Sequence, residues 1–189
     1  MQIILASASP RRRELLAKIT ENFIVVPATA DEQLSGGESA RAAARRLARL
    51  KAGSVAKDYP GALVIGSDTV VSLAGKILGK PADVRGAVQT LSELSGRTHS
   101  VITGVFVIAG GKSYCGESVS RVTFNRLSQE EIADYVDRFK PFDKAGAYGI
   151  QDGFPLVNRF EGSYENIVGL PLELTAELIG KAREQAENL

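Results

Sequence analysis

Residues 2–13 read Gln2-Ile3-Ile4-Leu5-Ala6-Ser7-Ala8-Ser9-Pro10-Arg11-Arg12-Arg13. The apolar run 2–6 predicts a short buried strand. Ser7, Ala8 and Ser9 form a loop of small residues. Ser9 is suited to cap a helix whose first position is Pro10, and the helix is expected to run to about residue 19. A strand that passes through a small loop into a helix start is the building unit of α/β domains.

The same alternation continues outward. Residues 23–27 predict a second strand, 29–37 a polar loop, and 38–56 a long helix. Residues 62–67 predict a strand ending at Asp68. Residues 70–73 and 76–78 flank Ala74-Gly75 and predict a hairpin. A helix is expected over 82–94, stopped by Ser95-Gly96. Residues 97–109 and 112–125 flank Gly110-Gly111 and predict a long hairpin. Ser128-Gln129-Glu130-Glu131 is a capping box opening a helix to about 139. Residues 143–169 are Gly-rich and irregular, with a short strand expected near 147–150. Pro171 opens a terminal helix, and the polar tail 181–189 is expected to fray. Together these elements predict an α/β fold with a mixed sheet and flanking helices, in one domain over residues 1–189 without a linker.

Composition narrows the function. The 189 residues are 44% apolar and 24% charged, enough for a sizeable core. Lys plus Arg is 23 and Asp plus Glu is 22, a net charge of +1. That balance argues against a nucleic-acid binder while allowing a local basic pocket. One cysteine, Cys115, excludes an internal disulfide framework and a Cys-rich zinc site. One histidine, His99, excludes chemistry that needs two and is expected to be structural. No apolar run is long enough to span a bilayer. Ser9 to Arg13 superficially resembles a twin-arginine export signal, but such a signal needs an uninterrupted apolar stretch after the arginines, and Glu14 and Lys18 place charge there. A cytoplasmic protein is expected.

Four clusters can carry chemistry. The first is Ser7, Ser9, Arg11, Arg12 and Arg13. Cations in the first turn of a helix oppose the helix dipole by about 0.3–1 kcal/mol each, and a bound anion reverses that balance. Backbone N–H groups, hydroxyls and guanidinium forks there suit phosphate, against the competing reading of a solvated basic turn. The second is Gly66-Ser67-Asp68-Thr69, an apolar strand delivering a carboxylate at its end. Asp68 can bind a divalent metal or act as a base, or it can simply turn the chain. Asp31 and Glu32 add carboxylates from a polar loop, and in isolation they read as solvated charge. The third is Gly79-Lys80-Pro81, which lacks the Walker A spacing; Lys80 can reach a phosphate or serve only as a turn lysine. The fourth is the run 143–151, whose small residues let a ligand approach the backbone. Within it Gln151 offers an amide donor and acceptor together. Arg41, Arg45 and Arg49 share a helical face that reads as solvated rather than as a nucleic-acid stripe, while Lys51 follows that face less clearly.

In order along the chain, the sequence resembles the Maf family of nucleotide pyrophosphatases. The resemblance is carried by Leu5-Ala6-Ser7-Ala8-Ser9-Pro10-Arg11-Arg12, Asp31-Glu32, Arg46-Leu47-Ala48 with Lys51-Ala52, and Ser67-Asp68-Thr69-Val70-Val71. It continues through Gly79-Lys80-Pro81, Leu94-Ser95-Gly96 with His99 and Val101, the run 143–151, Gly162-Ser163-Tyr164, and Val168-Gly169-Leu170-Pro171. One departure is the run 38–44, where the family often has Pro and Tyr after Glu-Ser. The resemblance implies a fold similar to the inosine-triphosphatase superfamily, two lobes around a cleft, and usually a homodimer. It implies hydrolysis of a nucleoside triphosphate to the monophosphate and pyrophosphate with Mg²⁺ or Mn²⁺. Arg12, Thr69 and Gln151 are similar to the subgroup acting on dTTP and UTP.

The resemblance also implies roles. Ser7, Arg11, Arg12, Lys51 and Lys80 would hold the triphosphate and offset charge on the leaving group. Glu32 and Asp68 would bind the metal. Asp68 would take the proton of the attacking water, and since a metal-bound carboxylate is not free to act as a base, these two roles divide between Asp68 and Glu32. The Gln151 amide can donate to O4 and accept from N3–H of uracil or thymine, a pattern cytosine reverses. Ala145, Gly146 and Ala147 leave room for a 5-methyl group. The competing functions are a non-enzymatic nucleotide-binding regulator of cell division and a pyrophosphatase for purines or 7-methyl-GTP.

Overall fold

Ser9, Ser39, Asp83 and Ser128 cap four helix starts in the computed structural model, which describes residues 1–30 and 33–187. β1 (Ile3–Leu5) leads into α1 (Pro10–Ala17), where Ser9 caps and Pro10 stands at the first turn. β2 (Phe23–Val25) follows, then α2 (Ala40–Ala56) capped by Ser39. β3 (Leu63–Leu73) and β4 (Lys76–Leu78) form the short hairpin, and Asp83 caps α3 (Val84–Leu94). β5 (Thr98–Ala109) and β6 (Lys112–Phe124) form the long hairpin, and α4 (Gln129–Phe139) opens on the expected Ser128–Glu131 capping box. Three short 3-10 turns, Pro141–Asp143, Ala145–Ala147 and Ile150–Asp152, lead to β7 (Val157–Glu161). α5 (Tyr164–Val168) and α6 (Leu172–Glu187) complete the chain.

The sheet runs β2-β1-β3-β5-β6-β7, with β4 also paired to β3. β2, β1 and β3 are parallel, and the remaining pairs are antiparallel, so the sheet is mixed as expected. The outer edge of β3 meets β1 over Leu63–Ile65 and β4 over Val71–Leu73. Between those two ladders, residues 66–70 have neither strand beside them. This gap in the sheet is where the site lies.

Alternation along β3 divides the core. Leu63 and Ile65 join an apolar cluster with Leu15, Leu16, Leu178 and Ile179, from α1 and α6. Val71 and Leu73, on the same face, join a second cluster with Leu91, Ile132, Tyr135 and Val136, from α3 and α4. The two same-face positions between them are polar, Ser67 and Thr69. The seam continues through Thr103, which pairs with Thr69 across the sheet. A row of hydroxyls thus separates two apolar clusters that share one sheet. The opposite face carries α2, seated directly on the strands. A Cβ on Gly66 would lie 2.6 Å from the Ala52 nitrogen and closer still to the Ala48 carbonyl oxygen, and one on Gly104 would lie 2.5 Å from the Ala44 carbonyl oxygen.

Three expectations are corrected. The strand expected to end at Asp68 continues to Leu73, because β-branched Thr69, Val70 and Val71 keep the alternation and Asp68 is buried against α2 rather than turning the chain. The strand expected near 147–150 is replaced by 3-10 turns, since Gly146 and Ala147 take φ of 71° and 59° and break extension. β7 and α5 fall inside the segment expected to be irregular; β7 is an edge strand of mostly exposed residues, so it lacks apolar alternation. α6 extends to Glu187, with a Lys181–Glu177 pair one turn apart. The two remaining tail residues lie outside the described residues.

Candidate active site

The gap beside β3 opens into a cleft of about 320 Å³. Ser7, Arg11, Arg12, Lys51, Asp68, Thr69, Lys80 and Gln151 all line it, brought together from five separate stretches of chain. Glu32, the expected second metal ligand, and Asp31 lie outside the described residues. Among the described residues no group of three or more His, Cys, Asp and Glu side chains is gathered for a metal.

Asp68 and Lys51 form the floor. Both are buried, 7% and 6% exposed, with Lys51 Nζ 2.5 Å from Asp68 Oδ1. Lys51 lies on the sheet-facing side of α2 together with Leu47, Ala48, Ala52 and Val55. The glycine at 66 lets that helix come close enough for the contact. Each charge offsets the burial of the other, and removing a partner outright leaves the remaining one buried and uncompensated.

Arg12 is fixed at the seam between the lobes. Its Nε donates to the Gly169 carbonyl at 2.9 Å, and Ser67 Oγ donates to the same oxygen at 3.0 Å. Its Nη2 donates to Thr69 Oγ1 at 3.2 Å. Thr69 Oγ1 lies 3.0 Å from Thr103 Oγ1, and Thr103 donates to the Asn166 carbonyl at 2.8 Å. Because the Thr103 proton is committed to Asn166, Thr69 must donate to Thr103. The chain of donors therefore runs one way, from Arg12 through Thr69 and Thr103 to the backbone of α5. Asn166 is itself fully buried, donating to the Val101 carbonyl and to Ser120 Oγ.

Arg11 reaches the opposite wall, where Nη2 meets Asp143 Oδ2 at 3.2 Å and Lys144 Nζ meets Asp143 Oδ1 at 3.0 Å. Burial alone would raise the Asp143 carboxyl, but the hydrogen bond and charge of Lys144, with those of Arg11, outweigh it and hold the group below its ordinary value. Lys80 stands in the turn after β4, tied down where the Gly146 N–H donates to the Gly79 carbonyl at 3.1 Å. Asp143, Lys144 and Tyr148 are lining residues to which sequence reasoning gave no role. The run containing them was singled out, but an irregular segment has no period from which side-chain direction can be read.

Tyr148 connects the cleft to the core. Its hydroxyl lies 2.8 Å from His99 Nε2, and the two rings pack edge to face with Phe124. His99 is 2% exposed, and burial pushes its pKa down to about 4. It is a neutral structural histidine, as expected. Gln151 lies at the rim, where Nε2 donates to Asp152 Oδ1 at 3.1 Å. Arg41 and Arg45 lie outside the cleft and converge on Glu117 of β6.

Five cations and two carboxylates line the cleft. This concentrates positive charge well beyond the net +1 of the whole chain. Such a site suits a polyanion whose reacting centre sits beside Asp68. The donor set also fits Mg²⁺, which binds through one or two carboxylates plus substrate phosphates and keeps several waters.

A family model described as Maf-like protein matches residues 2–182. The chain is 50% identical over 182 residues to the dTTP/UTP pyrophosphatase of Myxococcus xanthus, covering 95% of this chain and 92% of that one. It is 44% identical over 179 residues to the dTTP/UTP pyrophosphatase of Symbiobacterium thermophilum, covering 94% and 92%. Against the protein of the same name from Thermococcus gammatolerans it is 46% identical over 177 residues, covering 93% and 94%. Among solved structures, the Staphylococcus aureus Ham1 protein is similar with a TM-score of 0.48 and 14% identity, over 66% of this chain and 72% of that one. With the family match running through nearly its whole length, the chain belongs to the Maf family.

Proposed function

We propose that this chain hydrolyses dTTP and UTP to the nucleoside monophosphate and pyrophosphate. The observation that carries the reading is the gathering of Arg11, Arg12, Lys51, Lys80 and Lys144 around a single buried carboxylate, Asp68, in one cleft. The pyrophosphatase names of relatives at up to 50% identity support the same activity.

In this reading Arg11, Lys80 and Lys144 hold the triphosphate oxygens, with the Ser7 hydroxyl beside them. Arg12 is held rigid by Gly169 and Thr69, so it meets its phosphate oxygen without first being ordered. Asp68 takes a proton from water as the oxygen attacks the α-phosphorus. The bond from the α-phosphorus to the bridging oxygen breaks, and pyrophosphate leaves with its charge met by the surrounding cations. Lys51 holds the Asp68 carboxylate in place through the hydrogen bond to Oδ1 and steadies the floor of the site. Asp68 and Glu32 would hold a divalent ion, Mg²⁺ or Mn²⁺, which would supply Lewis-acid polarisation of the phosphate. Gln151 reads the base edge. A metal-bound carboxylate is not free to act as a base, so metal binding and proton removal divide between Asp68 and Glu32. The protein acts as a homodimer in the cytoplasm.

The test is the fate of oxygen. UTP turned over in ¹⁸O-water with Mg²⁺ is expected to give pyrophosphate without label and UMP carrying one ¹⁸O. Label in inorganic phosphate or in pyrophosphate contradicts attack at the α-phosphorus.

A further inference from the structure

Asp152 lies next to the base-reading glutamine and has no role in the chemistry above. Its carboxylate is held at both oxygens. Tyr135 Oη donates to Oδ2 at 2.6 Å, and Gln151 Nε2 donates to Oδ1 at 3.1 Å. Tyr135 is itself oriented, because its hydroxyl oxygen accepts the Gly149 N–H at 2.9 Å. The Tyr135 side chain is buried in the lobe of α3 and α4. Burial and the Asp152 hydrogen bond raise its pKa, so the phenol keeps the proton it gives to Asp152. The fold leaves room for this arrangement at Gly149, where a Cβ would lie 2.6 Å from Asp152 Oδ1 and closer still to Gln151 Nε2.

A carboxylate only accepts hydrogen bonds. Asp152 therefore selects the Gln151 rotamer that turns the NH₂ toward it and rejects the flipped amide, which would set Oε1 against a negative oxygen. With that choice made, Gln151 has one N–H and Oε1 left to offer. This is the donor and acceptor pair that O4 and N3–H of uracil and thymine require. Cytosine presents N4–H₂ and N3, and it needs the amide the other way round.

We infer that Asp152, locked by Tyr135, is a specificity-positioning residue that fixes the amide orientation of Gln151 and so excludes cytosine nucleotides. The inference rests on the proposed reading of the base by Gln151.

The decisive variant is Asp152→Asn. Tyr135 must still place its hydroxyl proton on an acceptor, so the introduced amide turns its oxygen to Tyr135 and its NH₂ to Gln151. That arrangement favours the flipped Gln151. In full-length protein with Mg²⁺, kcat/KM for UTP and CTP is measured in wild type, D152N, G149A and Q151A. D152N is expected to raise kcat/KM for CTP and to lower the UTP:CTP ratio about tenfold or more. A gain toward CTP cannot arise from misfolding. G149A displaces the glutamine amide and the Asp152 carboxylate beside it, the ends of two side chains. It is expected to lower kcat/KM for UTP and narrow the ratio while thermal unfolding stays near wild type. A UTP:CTP ratio within twofold of wild type in D152N, alongside a ratio that collapses in Q151A, overturns the role of Asp152 and leaves that of Gln151 standing. An unchanged ratio in Q151A overturns the reading of Gln151 itself, and this inference with it.

Discussion

Lys51 and Asp68 lie 2.5 Å apart beneath the cleft, and each makes a different demand on mutation. Asp68→Asn keeps volume and an acceptor for Lys51 but removes the base and the charge opposite Lys51. Turnover of UTP is expected to be lost while the circular dichroism spectrum is unchanged, and retained activity in folded D68N protein would remove the base assignment. Lys51→Met strands a buried carboxylate and is expected to cost about 3–5 kcal/mol of stability, read from urea unfolding. His99 gives a pH signature of its own. Its pKa of about 4 in the folded state lies below the ordinary 6.5, so the unfolded chain binds the extra proton between those values. The contribution is complete above pH 6.5 and is lost as pH falls toward 4, by up to about 3 kcal/mol. Urea unfolding at pH 7 and pH 4.5 is expected to show this loss in the wild type and a smaller one in His99→Gln.

α2 and α5 set the site from opposite faces of the sheet. α2 depends on the bare backbone of Gly66, where a methyl group would meet helix backbone rather than a movable side chain. Gly66→Ala is expected to destabilise by about 1–3 kcal/mol or more and to lower kcat, as Lys51 is lifted from Asp68. α5 holds Arg12 through Asn166, Thr103 and Thr69. Thr103→Val leaves the Thr69 proton without its acceptor. It is expected to cost about 1–3 kcal/mol and to raise KM for UTP more than it lowers kcat, with Thr103→Ser restoring both. Much of this was legible in the sequence: Ser9 and Ser128 mark helix starts by chemistry alone, and the glycine pair at 110–111 marks a hairpin. The continuation of β3 through Asp68 was not, because a carboxylate amid apolar residues reads as a turn until its partner Lys51 is seen to be buried. Nor was β7, an edge strand without alternation. The role of Asp152 is invisible without its partner Tyr135, 17 positions away in sequence.

Across the whole molecule, the row of hydroxyls from Ser67 and Thr69 to Thr103 divides the apolar core in two, and the gap between β1 and β4 opens at that seam. A fold that interrupts its core there has polar groups from both lobes facing one ligand. The cations come from α1, α2, the turn after β4 and the segment after α4, so the charge complementary to a triphosphate exists only once the chain is folded. On the proposed reading the cleft is a catalytic pocket for pyrimidine nucleotides, rather than a nucleotide sensor or a purine site. The most direct test is pyrophosphate release, with Mg²⁺ and with Mn²⁺, from dTTP, UTP, CTP, dITP, GTP and 7-methyl-GTP. Turnover concentrated on dTTP and UTP is the predicted result; preference for a purine, or no turnover of any nucleotide by folded protein with metal present, would contradict it.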